Sequence, residues 1–199
     1  MHTGYLTSDG YRVVNEENGE IIYSLKIPNR EIRKCFEVNI LKHFKESSTK
    51  GENKAMLIAN ALFEGDCESA KTNIKKLLKG YVSVRDLATK AKKENFYHGF
   101  LSGVFTNCSD SISDYQSNSE SGDGYADIIF KNDDTVVIIE LKVADNDRCI
   151  KDTALTALKQ IEDRKYAEDY VLSDIIENVY CYGISFYQKS CIIEVKKVK

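Results

Sequence analysis

Three charged residues occupy positions where hydrocarbons would be expected. In the stretch GYADIIFKNDDTVVIIELKV (124–143), Asp127, Glu140 and Lys142 interrupt two runs otherwise suited to an interior. A carboxylate buried without a partner shifts its pKa or weakens the fold, whereas one beside a cation stays ionised. Side chains alternate across a strand, so Glu140 and Lys142 share one face while Ile139, Leu141 and Val143 take the other. Asn132-Asp133-Asp134 is a turn signal between the runs, and the resulting hairpin returns Asp127 to the neighbourhood of Glu140. Two carboxylates and one ammonium at one end of a sheet suit a hard divalent cation, which takes carboxylate oxygens, phosphate oxygens and water. Such a cation acidifies a water and offsets charge building on a phosphate. A neighbouring lysine can orient the attacking water or stabilise the transition state.

These residues need elements to hold them. A helix is expected from about 86 to 106, with Tyr97, Leu101, Val104 and Phe105 as its apolar face. Helical spacing puts Glu94 on that face, so a further acid is expected to point inward toward the strands. The polar segment 110–123 reads as a short strand, ISDYQS, followed by a loop that carries Ser119, Glu120 and Ser121. A helix is expected at about 152–170 with Leu155, Leu158 and Ile161 inward, then two strands, VYCYGISF and SCIIEV. Helix, three strands, helix and two strands make an α/β arrangement, a mixed sheet with helices packed on it.

Upstream, YRVV and EIIYSLKI flank Glu17-Asn18-Gly19, a strong hairpin signal over 11–27. Pro28 suits the first turn of a following helix, whose Ile32, Phe36, Ile40 and Phe44 recur every four residues. The polar run ESSTKGEN (46–53) is a candidate boundary. Ala55, Met56, Ala59, Leu62 and Phe63 form one helical face, Gly65 ends that helix, and Asp66 caps the next, which buries Ala70, Ile74, Leu77 and Leu78. The expected organisation is a hairpin and small helical lobe over 1–88, followed by the α/β domain over 89–199.

The composition is that of a globular chain, with 42% hydrophobic and 30% charged residues. No apolar run is long enough to cross a membrane and the N-terminus carries no apolar signal segment, so the expected location is cytoplasmic with no membrane partner. Cysteines 35, 67, 108, 149, 181 and 191 form no CxxC pair and do not cluster with His2, His43 or His98, which argues against a zinc site and for reduced, buried thiols. The net charge of −3 lacks the basic excess frequent in nucleic-acid binders, so any phosphate contact depends on local lysines or a bound metal. His98 reads as a structural residue; Arg164, Lys165 and Tyr166 read either as phosphate contacts or as a solvated face with one packed tyrosine.

Asp127 followed by Glu140-Leu141-Lys142 resembles the PD-(D/E)XK motif of restriction-endonuclease-like nucleases, with Ala126 where the proline stands. GYLT (4–7), IPNREIRKCF (27–36), ENFYHGFL (94–101), SNSESGDGYADIIF (117–130), IIELKV (138–143) and ALKQIEDRKYA (157–167) resemble the branch found at the C-terminal end of bacterial AAA-ATPase-like proteins. The resemblance implies a restriction-endonuclease-like fold and magnesium- or manganese-dependent cleavage of nucleic acid, DNA in the first instance. It implies metal ligation by Asp127, Glu140, the Leu141 carbonyl and Glu94, with Lys142 acting on water or transition state and Gln160 orienting the phosphate or the lysine. It also implies an ATPase domain in cis if the chain is a fragment, since no G-x-x-x-x-G-K-[ST] stretch is present. Ser119 stands where relatives carry arginine, and Tyr125 lies near another basic position. That departure keeps an alternative open: a binding or interaction module that retains the fold without the chemistry.

Overall fold

The computed structural model describes residues 7–15, 20–26, 54–82, 93–108 and 111–199. The chain divides into two compact units, Met1–Gly51 and Glu52–Lys199. In the first, β1 (Thr7–Asn15) and β2 (Glu20–Lys26) pair antiparallel, with register irregularities between Ser8 and Gly10 and between Val13 and Asn15. The Glu17-Asn18-Gly19 turn and the helix expected after Pro28 lie outside the described residues.

The second unit is an α/β layer structure. Helices α1 (Lys54–Phe63), α2 (Cys67–Tyr81) and α3 (Lys93–Phe105) precede strands β3 (Asp114–Ser121), β4 (Gly124–Lys131) and β5 (Thr135–Val143). Helices α4 (Ile150–Asp163) and α5 (Glu168–Leu172) then lead to β6 (Asn178–Tyr187) and β7 (Ser190–Lys197). The sheet order is β3-β4-β5-β6-β7. Only β5 and β6 run parallel, and α4 lies in the crossover between them, the usual solution for a parallel pair. The expected mixed sheet with flanking helices is therefore the observed one.

Each face of the sheet has its own core. Ile128, Phe130, Val137, Ile139, Leu141, Tyr182, Ile184 and Phe186 pack with α1, α2 and α3, whereas Ile129, Val136, Ile138, Val179 and Cys181 pack with Ile161 and Tyr166. Helices α1 and α2 share the first core with the sheet, and the compact unit that holds them begins at Glu52. Asp66 caps α2 as expected, accepting from the Ser69 amide at 3.0 Å, and Gly65 before it adopts a left-handed φ of 79°. Tyr97 fixes α3: its hydroxyl donates to the Gln188 carbonyl at 2.7 Å and its ring stacks on Phe186 at 4.3 Å. The five cysteines in the described residues are unbridged, and burial pushes the thiols of Cys181 and Cys191 up to about 12.

Three expectations change. The segment 119–121 is strand, not loop: β3 runs to Ser121, which is buried and donates to the Tyr166 carbonyl at 2.8 Å. Its polar sequence reflects an edge strand, which tolerates polar side chains because one side faces solvent. The helix expected over 152–170 stops at Asp163, where Lys165 takes a left-handed φ of 54°, and resumes as α5. Leu155 points outward, 44% exposed, while Ala154 and Ala157 are buried. Close packing explains this, because a Cβ on Gly183 of β6 would run into the Ala154 carbonyl and the Leu158 amide. Only small side chains fit that contact.

Candidate active site

The hairpin brings the motif residues together as the strand period requires. The β4–β5 ladder pairs Ile128 with Ile139 and Ile129 with Ile138. Beyond Ile128 the two strands are no longer paired backbone to backbone. The Asp127 side chain fills the gap, its Oδ2 accepting from the Leu141 amide at 2.8 Å. An unpaired buried amide is costly, so the carboxylate replaces the missing strand partner. In an extended strand a residue's N–H and C=O point to the same edge, so the Leu141 carbonyl faces the Asp127 side as well.

Glu140 is 5% exposed, the one buried acid among the described residues. Its Oε1 accepts from the Gln160 amide nitrogen, and the Lys142 ammonium stands 3.8 Å from the same oxygen. Gln160 Oε1 in turn accepts from Lys142 Nζ at 2.7 Å. The two charges dictate the orientation of this amide, since a flip would set N–H against ammonium and carbonyl against carboxylate. Gln160 reaches the pair because the crossover lays α4 over β5. Glu140 Oε2 is buried and has no hydrogen-bond partner.

Burial, then the Asp127 carboxylate, pushes the Glu140 carboxyl up to about 8; Lys142 opposes the shift and Glu94 adds to it. Burial also raises Asp127, against the Leu141 amide, His98 and Lys142, which favour its ionised form. The two acids thus stand close enough to resist joint ionisation, a condition that a divalent cation relieves.

Glu94 lies in the first turn of α3 and is exposed, whereas the sequence spacing places it inward. The inward stripe of α3 starts one residue triplet later, at Tyr97, so the first turn overhangs the packed region. Glu94 is near enough to act on Glu140 through its charge, but among the described residues no three His, Cys, Asp or Glu side chains form a cation cage by themselves. The residues present still fit a hard cation: an acid with an unpartnered buried oxygen, a second acid beside it, and a backbone carbonyl on the same side. Magnesium in particular keeps several waters and needs only one or two carboxylates.

His98, read from the sequence as a structural residue, makes its contact at the backbone of Asp127. Its Nε2 lies 3.0 Å from the Asp127 carbonyl and 3.1 Å from Ser117 Oγ. No periodicity signals a helical side chain that reaches the backbone of a strand. Arg164 donates to the Asp123 carbonyl at 3.3 Å, and Tyr166 is buried, so this segment buttresses the β3–β4 turn.

The buried Glu140, the half-buried Asp127 and the adjoining Lys142 thus lie together on a mixed five-stranded sheet with helices on both faces. The model of the PD-(D/E)XK nuclease superfamily matches residues 92–196, just over half of the 199, and the chain belongs to that superfamily. Membership suggests nuclease activity. A comparison with curated proteins finds no significant match. Among the described residues no helix is long and apolar enough to cross a membrane.

Proposed function

We propose that the protein is a divalent-metal-dependent nuclease that hydrolyses phosphodiester bonds in nucleic acid, DNA in the first instance. The observation that carries this reading is Glu140: a buried carboxyl, one oxygen engaged by Gln160 and Lys142, the other without a partner beside Asp127. Asp127, Glu140 and the Leu141 carbonyl would hold magnesium or manganese, with Glu94 reaching the shell through water. The bound ion supplies a Lewis acid for the phosphate and an acidified water.

The remaining work falls to the chain. Lys142 presents a cation on the same strand face as Glu140, where it can orient the attacking water or offset charge on the phosphate. Gln160 restrains both neighbours, holding the ammonium by its oxygen and the carboxylate by its nitrogen. Asp127 does double duty, closing the strand gap with one oxygen and leaving the other for the ion. If the chain is part of a longer protein, the resemblance to ATPase-linked nucleases makes an ATPase domain in cis the expected partner.

A second reading, a module that keeps the fold without chemistry, is favoured by Ser119. Where relatives carry arginine, Ser119 donates to Gln116 at 2.7 Å and offers no cation to a phosphate. Thermal melts separate the two readings. Manganese or magnesium should raise the Tm of the wild type and leave Glu140→Ala unmoved, because a ligand stabilises only the state that binds it. Melts insensitive to metal in both proteins would favour the inactive module.

A further inference from the structure

We propose that His98 is a positioning residue for the candidate metal site, holding Asp127 in place through its backbone rather than through its side chain. This rests on the reading of Asp127 as a ligand only for its consequence, not for its geometry. The Asp127 carbonyl can only accept, so His98 Nε2 carries the hydrogen and donates to it at 3.0 Å. Ser117 Oγ, 3.1 Å from the same nitrogen, can only share that hydrogen as a second acceptor, a weaker contact between the ring and β3.

The location of this contact gives it meaning. Strand β3 pairs with β4 at Ser117–Ile128 and at Ser119–Ala126, and no pair is formed at Asn118–Asp127 between them. Asn118 has a left-handed φ of 50°, rare for a residue with a side chain. The side-chain alternation shifts there. Ile128 packs on the α3 side, as alternation from Phe130 requires, yet Ala126 packs with Tyr166 on the α4 side. Asp127 therefore sits where both neighbouring ladders lapse: unpaired with β3 at Asn118 and past the last β5 pair at Ile128. Two contacts replace those ladders. The carboxylate takes the Leu141 amide on one side, and His98 takes the Asp127 carbonyl. Helix α3 is itself anchored by Tyr97, one residue before His98, so the donor comes from a fixed element.

A residue freed from its ladders gains freedom to aim its carboxylate, and needs an outside restraint to keep one aim. Partners of this kind behind a metal ligand change affinity by about 10–100-fold when removed.

The test uses His98→Ala and His98→Gln in the full chain, with two readouts. The first needs no metal: amide hydrogen exchange at Leu141 relative to Ile184 on β6. In His98→Ala, Leu141 should lose at least about tenfold in protection beyond any change at Ile184. His98→Gln, whose side-chain N–H can reach the same carbonyl, should recover most of it. The second is manganese affinity by titration, expected to fall about tenfold or more in His98→Ala and to recover in His98→Gln. Equal loss of protection at Leu141 and Ile184 would reduce His98 to an ordinary packing residue and overturn the proposal. A selective loss at Leu141 in a protein whose wild type binds no manganese would uphold the positioning role while sinking the metal reading. If His98→Ala does not fold, Ser117→Ala, which frees the ring from β3, should show the same selectivity in weaker form; no selectivity there overturns the proposal.

Discussion

Replacing Glu140 with glutamine should change how stability depends on pH. In the folded protein burial and Asp127 raise the Glu140 carboxyl from its ordinary 4.5 to about 8. Folding therefore takes up a proton between those values. The stabilisation is fully present below about pH 4.5 and is lost as pH rises through about 8. One proton taken up corresponds to about 1.4 kcal/mol per pH unit. Between about pH 5.5 and 8.5 full linkage amounts to about 3 kcal/mol, and the wild type should lose on the order of 2–3 kcal/mol because water and relaxation soften burial. Asp127, raised in the same direction, adds a contribution of the same sign at lower pH. Glutamine does not titrate, and its oxygen can still accept from Gln160. Urea unfolding in EDTA across this range should show near parity at the acid end and Glu140→Gln ahead by about 2–3 kcal/mol at the alkaline end. Parallel pH profiles for the two proteins would refute the claim that Glu140 is a destabilised, unsatisfied acid.

Other variants isolate other parts of the site. Lys142→Ala should keep the fold and lower cleavage by about 10²–10³-fold, the loss typical of one transition-state donor, as read by single-turnover cleavage. Gln160→Leu removes the amide between Lys142 and Glu140, and cleavage or manganese affinity should fall about 10–100-fold with little change in secondary structure. Asp127→Asn can still accept from the Leu141 amide, so its urea stability should stay within about 1 kcal/mol of wild type while the metal-induced Tm shift disappears. Gly183→Ala forces a methyl against the Ala154 carbonyl and should cost about 1–3 kcal/mol by urea unfolding.

Much of the site was legible because it obeys strand periodicity. Glu140 and Lys142 are two apart, so they share a face, and a short turn returns Asp127 opposite Glu140. The turn itself was readable from Asn132, whose side chain accepts from the Thr135 amide at 2.9 Å. Gln160 was reachable only through the family resemblance, because nothing in helical spacing says which strand α4 will cover. Glu94 departs from its expected inward place for a related reason. Periodicity assigns a residue to a stripe but does not say where along the helix the packed region ends. The break at Asn118 and the reach of His98 left no trace in pattern or composition, since both depend on where two ladders stop. The outward turn of Leu155 likewise follows from Gly183, some thirty residues away in sequence, and from the close approach it allows.

In the proposed function the acids and lysine of β4 and β5 cut nucleic acid. Labelled single- and double-stranded DNA and RNA, incubated with manganese, should be cut by the wild type and not by Lys142→Ala, with DNA the preferred substrate. Equal background from the two proteins on every substrate would contradict that claim and leave a nuclease fold retained for binding.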